Sequence, residues 1–168
     1  MRIRILAIGT KMPSWVQEGF EEYAKRFTAG CSLELYEIPA EKRGKNTDVA
    51  RIIEREGEKL LAAVKPHHHI IALEIKGQAW STKQLTRELK TWQTHGSHID
   101  LLVGGPDGLS AACREKAHAH WSLSPLTLPH PLVRIILAEQ LYRAVSILQN
   151  HPSPHRRVIH LILFPRVF

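Results

Sequence analysis

Cysteine is nearly absent from this chain. Cys31 and Cys113 are the two in 168 residues, too few for a disulfide framework and without the spacing of a zinc site. That usage fits a reduced setting, and a cytoplasmic location is expected. Long apolar runs are missing as well, and none approaches the roughly 20 residues that a membrane span needs. The opening Met1-Arg-Ile-Arg-Ile-Leu-Ala-Ile-Gly9 offers only a brief apolar stretch before its glycine, less than a signal peptide requires. No linker, internal repeat or low-complexity stretch breaks the chain before its tail. Secretion, membrane spanning, a metal-stapled mini-fold and a metal site are therefore not expected.

Acidic residues are also in short supply. Asp and Glu number 16 against 23 Lys and Arg, a net charge of +7 with eleven histidines in reserve at lower pH. A surplus of that size suits polyanionic partners, nucleic acid above all, through release of counterions. A merely soluble basic protein carries the same number, so charge alone goes no further. The length suits one domain, and 43% hydrophobic content argues against disorder. A domain of this size hides roughly 70% of the surface its unfolded chain exposes.

Strand-like and helix-like periods alternate along the chain. Arg2 to Gly9 reads as a strand, with Ile3, Ile5, Leu6 and Ile8 apolar and Gly9 closing it. Pro13 suits a first helical turn, and Trp15, Val16, Phe20, Tyr23 and Phe27 follow at helical spacing as a core-facing stripe. Leu33, Leu35 and Ile38 mark a second strand. Asp48 is placed to cap a helix running to Val64 through Ile52, Ile53, Leu60 and Leu61. Ile70 to Ile75 is nearly continuously apolar, the pattern of a strand buried on both faces. Ser81 and Gln84 form a capping box ahead of a helix bearing Leu85, Leu89 and Trp92. Ile99 to Val103 is another buried strand, interrupted by Asp100, and Ser110 opens a short helix. Trp121 to Leu128 reads as a fifth strand-like segment, and Leu132 to Gln149 as a long helix. This alternation predicts a single α/β domain with a mostly parallel sheet flanked by helices.

In an open parallel sheet, ligands bind beyond the carboxyl ends of the strands. Three loops answer to that rule: after Ile75, after Val103, and around Leu123 to His130. Gly104 and Gly105 let a ligand approach the backbone closely, although Gly104-Gly-Pro-Asp-Gly108 is neither a dinucleotide fingerprint nor a phosphate loop. A turn that only reverses the chain fits those glycines equally well. Pro125, Pro129 and Pro131 keep the third loop out of any regular ladder or helix, so its backbone groups are free to hold an adenine and ribose. His130 lies between two of these prolines, either aimed by them at a substrate or an ordinary surface residue.

Basic residues gather in three places. Lys42, Arg43 and Lys45 surround Gly44 in a loop suited to phosphate contact. Arg51, Arg55 and Lys59 recur at four-residue steps on one helix face, with Glu54 and Glu58 beside them as the makings of a solvated salt-bridged helix. The third group is His151 to Arg157 near the end. His67-His-His69 looks like a metal tract, but consecutive residues entering a strand point alternately, so a loop is expected.

Several motifs carry a family likeness. They are Gly9-Thr-Lys-Met-Pro13, Lys42-Arg-Gly-Lys-Asn46, Gly104-Gly-Pro-Asp-Gly-Leu-Ser110, Leu128-Pro-His-Pro-Leu-Val-Arg134, and Glu139-Gln-Leu-Tyr-Arg-Ala144 with Asn150-His-Pro152. In order, from residue 1 to about residue 152, they resemble the bacterial ribosomal large-subunit pseudouridine N3-methyltransferases, the RlmH family of the SPOUT superfamily. The resemblance implies a SPOUT-type domain with a C-terminal trefoil knot, a homodimer, and S-adenosylmethionine as methyl donor. The implied substrate is a pseudouridine in helix 69 of 23S rRNA within the assembled ribosome. Leu73, Gly104, Gly105 and the stretch Leu123, Ser124, Pro125, Leu126, Thr127 and Leu128 match donor-binding positions, and they fall on the three loops chosen by the strand-end rule.

The end of the chain departs from the family. An Asn-His-Pro-Tyr-His-Arg type ending is replaced by Asn150-His-Pro-Ser-Pro-His-Arg156, and an apolar stretch, Val158 to Phe168, follows. Residues 1–157 are accordingly expected to form the methyltransferase domain and 158–168 an atypical extension. Methyl transfer of the implied kind is an in-line displacement that needs no metal. The acceptor nitrogen must lose a proton, so a base or a cation beside the developing anion would help. His130, His155 and Arg156 are the candidates for those roles, with Lys42, Arg43, Lys45 and Arg157 as rRNA contacts. Two other classes compete: a non-catalytic ribosome-binding module on the same fold, and an α/β enzyme for a small anionic substrate.

Overall fold

The structure, a computed structural model, describes residues 1–27 and 30–149. Its elements alternate as the periodicity predicts: β1 (Arg2–Ile8), α1 (Ser14–Ala24), β2 (Ser32–Ile38), α2 (Val49–Ala63), β3 (His69–Ala79), α3 (Thr82–Thr94), β4 (Ile99–Val103), α4 (Ala111–Lys116), β5 (Ala119–Ser122) and α5 (His130–Leu148). The five strands form one sheet in the order β2-β1-β4-β3-β5, with every neighbouring pair parallel.

Side-chain alternation along the strands divides the core in two. Ile3, Ile5 and Ala7 of β1 join Leu101 and Val103 of β4 beneath α1, α3 and α5, through Phe20, Leu85, Leu89, Trp92, Leu137 and Leu141. Leu6, Ile8, Ala72 and Leu102 face the other way, against Leu60 of α2 and Cys113 of α4. Both layers are covered, which is why the central strands read as nearly unbroken apolar runs. Asp100, the exception in β4, is fully buried and held by Arg4 of β1, by the Lys65 N–H at 3.0 Å and by His68 Nδ1 at 2.9 Å.

Local signals set the helix starts. Asp48 accepts from Arg51 N–H at 3.3 Å, and the Ser81–Gln84 capping box is closed in both directions. Two departures concern the functional end. The fifth strand stops at Ser122, because the loop that follows carries Pro125 and Pro129, which have no N–H to give a ladder. The long helix begins at His130, a residue pair ahead of Leu132, since Pro129 caps it and Pro131 sits in its first turn.

The aromatic stripe of α1 packs inward as expected at Phe20, with Tyr23 and Phe27 on Tyr142 of α5, while Trp15 stays 48% exposed. Arg55 and Lys59 do not pair with Glu54 or Glu58 but reach Glu41. The histidine run is a turn entering β3. His67 has φ 65°, His68 faces Asp100, and His69 stacks on His118 at 4.6 Å. Among the described residues no His, Cys, Asp and Glu group is placed to hold a metal ion, and no helix is long and apolar enough to cross a membrane.

Candidate functional site

Three neighbouring strands release their chains at the same edge of the sheet. β4 ends at Val103 and turns at once through Gly104 to Gly108, where Gly108 N–H returns to Gly105 C=O at 2.9 Å. A Cβ on Gly104 would stand 2.6 Å from the Gly108 carbonyl group, so the close approach requires glycine there. Gly108 itself has φ +90°, open to glycine at little cost. Ser110 then caps α4 by accepting from Cys113 N–H at 3.2 Å.

β3 leaves its ladder in an unexpected way. Its pairing with β5 jumps from Leu73 to Gln78, both opposite Trp121, so residues 74–77 arch out of the sheet. Gly77 brings the chain back, since a Cβ there would lie 2.7 Å from the Trp121 backbone. The continuous burial expected through Ile75 therefore stops at Ala72, although β3 itself runs on to Ala79. Ile75 is 63% exposed, because the bulge turns it out to the rim. From β5 the chain runs through a serine turn, with Ser122 Oγ donating to Ser124 C=O and Leu126 N–H donating to Ser124 Oγ at 2.9 Å.

These three segments and the first turn of α5 enclose a cavity of about 750 Å³. That is ample for a nucleoside-sized ligand. Leu73, Gly104, Gly105, Leu123, Ser124, Leu126, Thr127 and Leu128 line it with His130, whereas Pro125 does not. Sequence reading missed Glu74, Lys76, Asp107 and Arg114, which supply its charges, and Val133 on α5. Gly77, two residues past the apolar run that ends at Ile75, was the available sign of a bulge. Arg114 stands 3.9 Å from Glu74, which also holds His120.

His130 is half-buried at the inner wall. Burial pushes its imidazole below the usual histidine range, and the charges of Arg134 and Arg43 push the same way. A backbone hydrogen bond at Gly105 and the charge of Glu56 oppose them. At neutral pH the ring is thus uncharged and able to take a proton.

Behind the glycine turn sits a carboxylate that sequence reading also missed. Glu56 of α2 is 1% exposed, on the same stripe as Ile52 and Leu60. It accepts from Glu41 N–H at 3.0 Å and from both terminal nitrogens of Arg43 at 3.0 and 3.2 Å. Arg43 also donates from Nε to Asp107 at 3.0 Å. Lys42 and Lys45, on the same loop, are exposed. His155, Arg156 and Arg157 lie outside the described residues, as does the 158–168 segment.

A second, smaller cavity of about 300 Å³ lies between α1 and the ends of β1 and β2. The buried Arg134 borders it, bonded to Glu37 and to the carbonyls of Ile8 and Gly9. Comparison with known families bears on this strand-end arrangement: a family model described as "Predicted SPOUT methyltransferase" matches residues 1–153.

Proposed function

The chain belongs to the SPOUT methyltransferase family, and from that premise we propose that it methylates N3 of a pseudouridine in helix 69 of 23S rRNA, in the assembled ribosome. Methylation dependent on S-adenosylmethionine follows from the family itself. One observation supports the donor side of this reading: eight of the nine donor positions named from the sequence line a single cavity, with His130 beside them, while the acceptor rests on the motif resemblance.

The residues present fit this donor. Gly104 and Gly105 put backbone on the cavity wall, packed from behind on Gly108 and on Glu56, and the leucines at 73, 123, 126 and 128 would take the adenine. The carboxylates of Glu74 and Asp107 and the cations of Lys76 and Arg114 are matched to a ligand carrying both an ammonium and a carboxylate. When bound, the donor supplies an electrophilic methyl group on its sulfonium.

The chain's own groups do the rest. The glycine turn and the serine turn hold the donor and exclude water from its reacting end. His130, uncharged at neutral pH, accepts the proton leaving the pseudouridine N3. His155 and Arg156 are proposed to share in this, Arg156 by stabilising negative charge on the base. Lys42, Lys45 and Arg157 contact rRNA phosphates, with Lys42 and Lys45 exposed on a loop fastened beside the cavity.

The working unit is proposed to be a homodimer in the cytoplasm, its catalytic domain spanning residues 1–157, with the C-terminal part threaded as a trefoil knot and residues 158–168 appended. Ile75 and Leu126, 63% and 72% exposed at the cavity mouth, are apolar enough to be covered by a second subunit. Light scattering should then give twice 19.1 kDa.

Tritiated methyl transfer from S-adenosylmethionine to undermodified ribosomes tests the reading, with free rRNA and separate subunits alongside. Label at a helix 69 pseudouridine is the expected result. Donor binding without incorporation into any of these acceptors would reduce the protein to a non-catalytic ribosome-binding module.

A further inference from the structure

Arg43 stands in the basic loop and invites assignment as a phosphate contact, but its guanidinium, though 31% of the side chain is exposed, is already engaged. Its terminal nitrogens meet Glu56 at 3.0 and 3.2 Å, its Nε meets Asp107 at 3.0 Å, and Nη1 also donates to Glu41 C=O at 3.2 Å. Two carboxylates on one planar fork use the geometry that distinguishes arginine from lysine. A phosphate could reach Arg43 only by displacing one of them, and displacing Glu56 would strand a buried charge.

The pair touches the back of the cavity wall. A Cβ on Gly105 would come 2.5 Å from Glu56 Oε2 and 3.0 Å from Arg43 Nη2, so the glycine turn rests directly on the ion pair. Gly105 and Asp107 form part of the cavity on their other side. The guanidinium therefore joins three pieces of chain: the 41–45 loop, helix α2 and the 104–108 turn.

We propose that Arg43 is a positioning residue for the methyl-donor pocket, propping the 104–108 turn between Glu56 and Asp107 and fastening the loop of Lys42 and Lys45 beside it. This inference rests on the donor reading of the cavity. It separates Arg43, held by two carboxylates of the fold, from the exposed Lys42 and Lys45 of the same loop.

The test is calorimetric titration with S-adenosylhomocysteine, with thermal melts to establish folding. Arg43→Gln should weaken binding about tenfold, because a loosened turn no longer matches the ligand. Arg43→Lys should recover part of that loss, one point charge serving only one carboxylate at a time. Glu56→Gln weakens the clasp from a side chain that does not line the cavity and leaves no buried charge unpaired, so it keeps the test open should Arg43→Gln fold poorly; it should weaken binding severalfold. Lys90→Gln, on the exposed face of α3, serves as the control.

Two further readouts separate positioning from general damage. Removing the Arg43 charge should move the His130 titration upward by NMR, toward the usual imidazole range, with burial and Arg134 still holding it down and Gly105 and Glu56 still raising it. Ribosome binding by Arg43→Gln should keep its salt slope, whereas loss of a phosphate contact would lower the slope by about one unit. If the parent fails to bind S-adenosylhomocysteine, the donor reading falls and this inference with it. If the parent binds and both folded variants bind equally well, the clasp alone is overturned.

Discussion

Arg4 and Asp100 stand directly opposite each other in the parallel register of β1 and β4, joined at two points inside the sheet. Arg4 Nε donates to Oδ1 at 2.7 Å and Nη2 to Oδ2 at 2.6 Å, with both side chains no more than 2% exposed. Breaking such a pair from one side strands the partner charge. Arg4→Met should cost about 3–5 kcal/mol of stability, as expected when a buried ion pair loses one member. Urea unfolding checks it, and a loss below about 1 kcal/mol, the scale of an exposed pair, would mean that Asp100 finds water or another partner.

The same site gives the fold a pH signature. Burial works against ionised Asp100, but hydrogen bonds from Arg4, His68 and the Lys65 N–H outweigh it and hold the carboxyl below its usual range. The native state thus binds this proton less readily than the unfolded chain. Its stabilisation is complete above the unfolded value of roughly 3.9 and is lost as the pH falls below that through the native value. His69, desolvated and stacked on His118, is also depressed, as is His130. Their contributions carry the same sign but fade earlier, below the ordinary histidine value of roughly 6.5. Stability measured from pH 8 to pH 3 should therefore fall in two stages. In Asp100→Asn, less stable throughout, the second stage should shrink, and an unchanged acid limb would place its origin elsewhere.

His130 should matter to rate far more than to donor affinity. If it accepts the acceptor's proton, His130→Gln should slow methyl transfer at saturating donor and ribosome by about 10²- to 10⁴-fold. In the parent, the acid limb of the rate profile should lie below the usual imidazole range, since burial and two arginines keep the ring uncharged. A variant with parental rates would leave His130 as a packing residue in the first turn of α5.

Gly105 responds to substitution from behind the cavity. Gly105→Ala points its methyl at the Glu56–Arg43 pair, so the expected result is a loss of about 1–3 kcal/mol of stability from overpacking, together with weaker donor binding. Chemical unfolding and calorimetry with S-adenosylhomocysteine measure the two. Full stability with weakened binding would show instead that the new methyl faces the ligand.

Legibility in the sequence followed the range of the interactions. Asp48, Ser81 and Ser110 act within three residues, and their caps were readable because the partner amide lies in the same turn. The strand-end rule located three loops from periodicity alone, since parallel crossovers leave their carboxyl ends on one edge. Glu56 was missed because its partners, Arg43 and Gly105, are brought to it by the tertiary fold. Its place in the stripe between Ile52 and Leu60 was the one local sign that a carboxylate was bound inward. Ile75 and Leu126 misled for a related reason, as apolar residues of a strand and of a cavity rim are alike in a linear pattern. The apolar pattern extends the strand-like segment from Trp121 to Leu128 on that account, while its prolines mark the later part as the loop the structure shows.

The placement of β1 has a consequence for synthesis. Ile3 to Ala7 emerges from a translating ribosome long before one of its two neighbours, Ile99 to Val103. At roughly 5–20 residues per second, β1 waits on the order of 5 to 20 s with that edge unmatched. Pairing with β2 comes much sooner and covers its other side. The nascent half-sheet thus presents an apolar strand edge until β4 is made, and inserting β4 joins β1 to β3, with β5 left to add at the far side of β3. Slow codons placed before Ile99 would lengthen that exposure, and the yield of folded protein would be most sensitive to elongation rate in that interval.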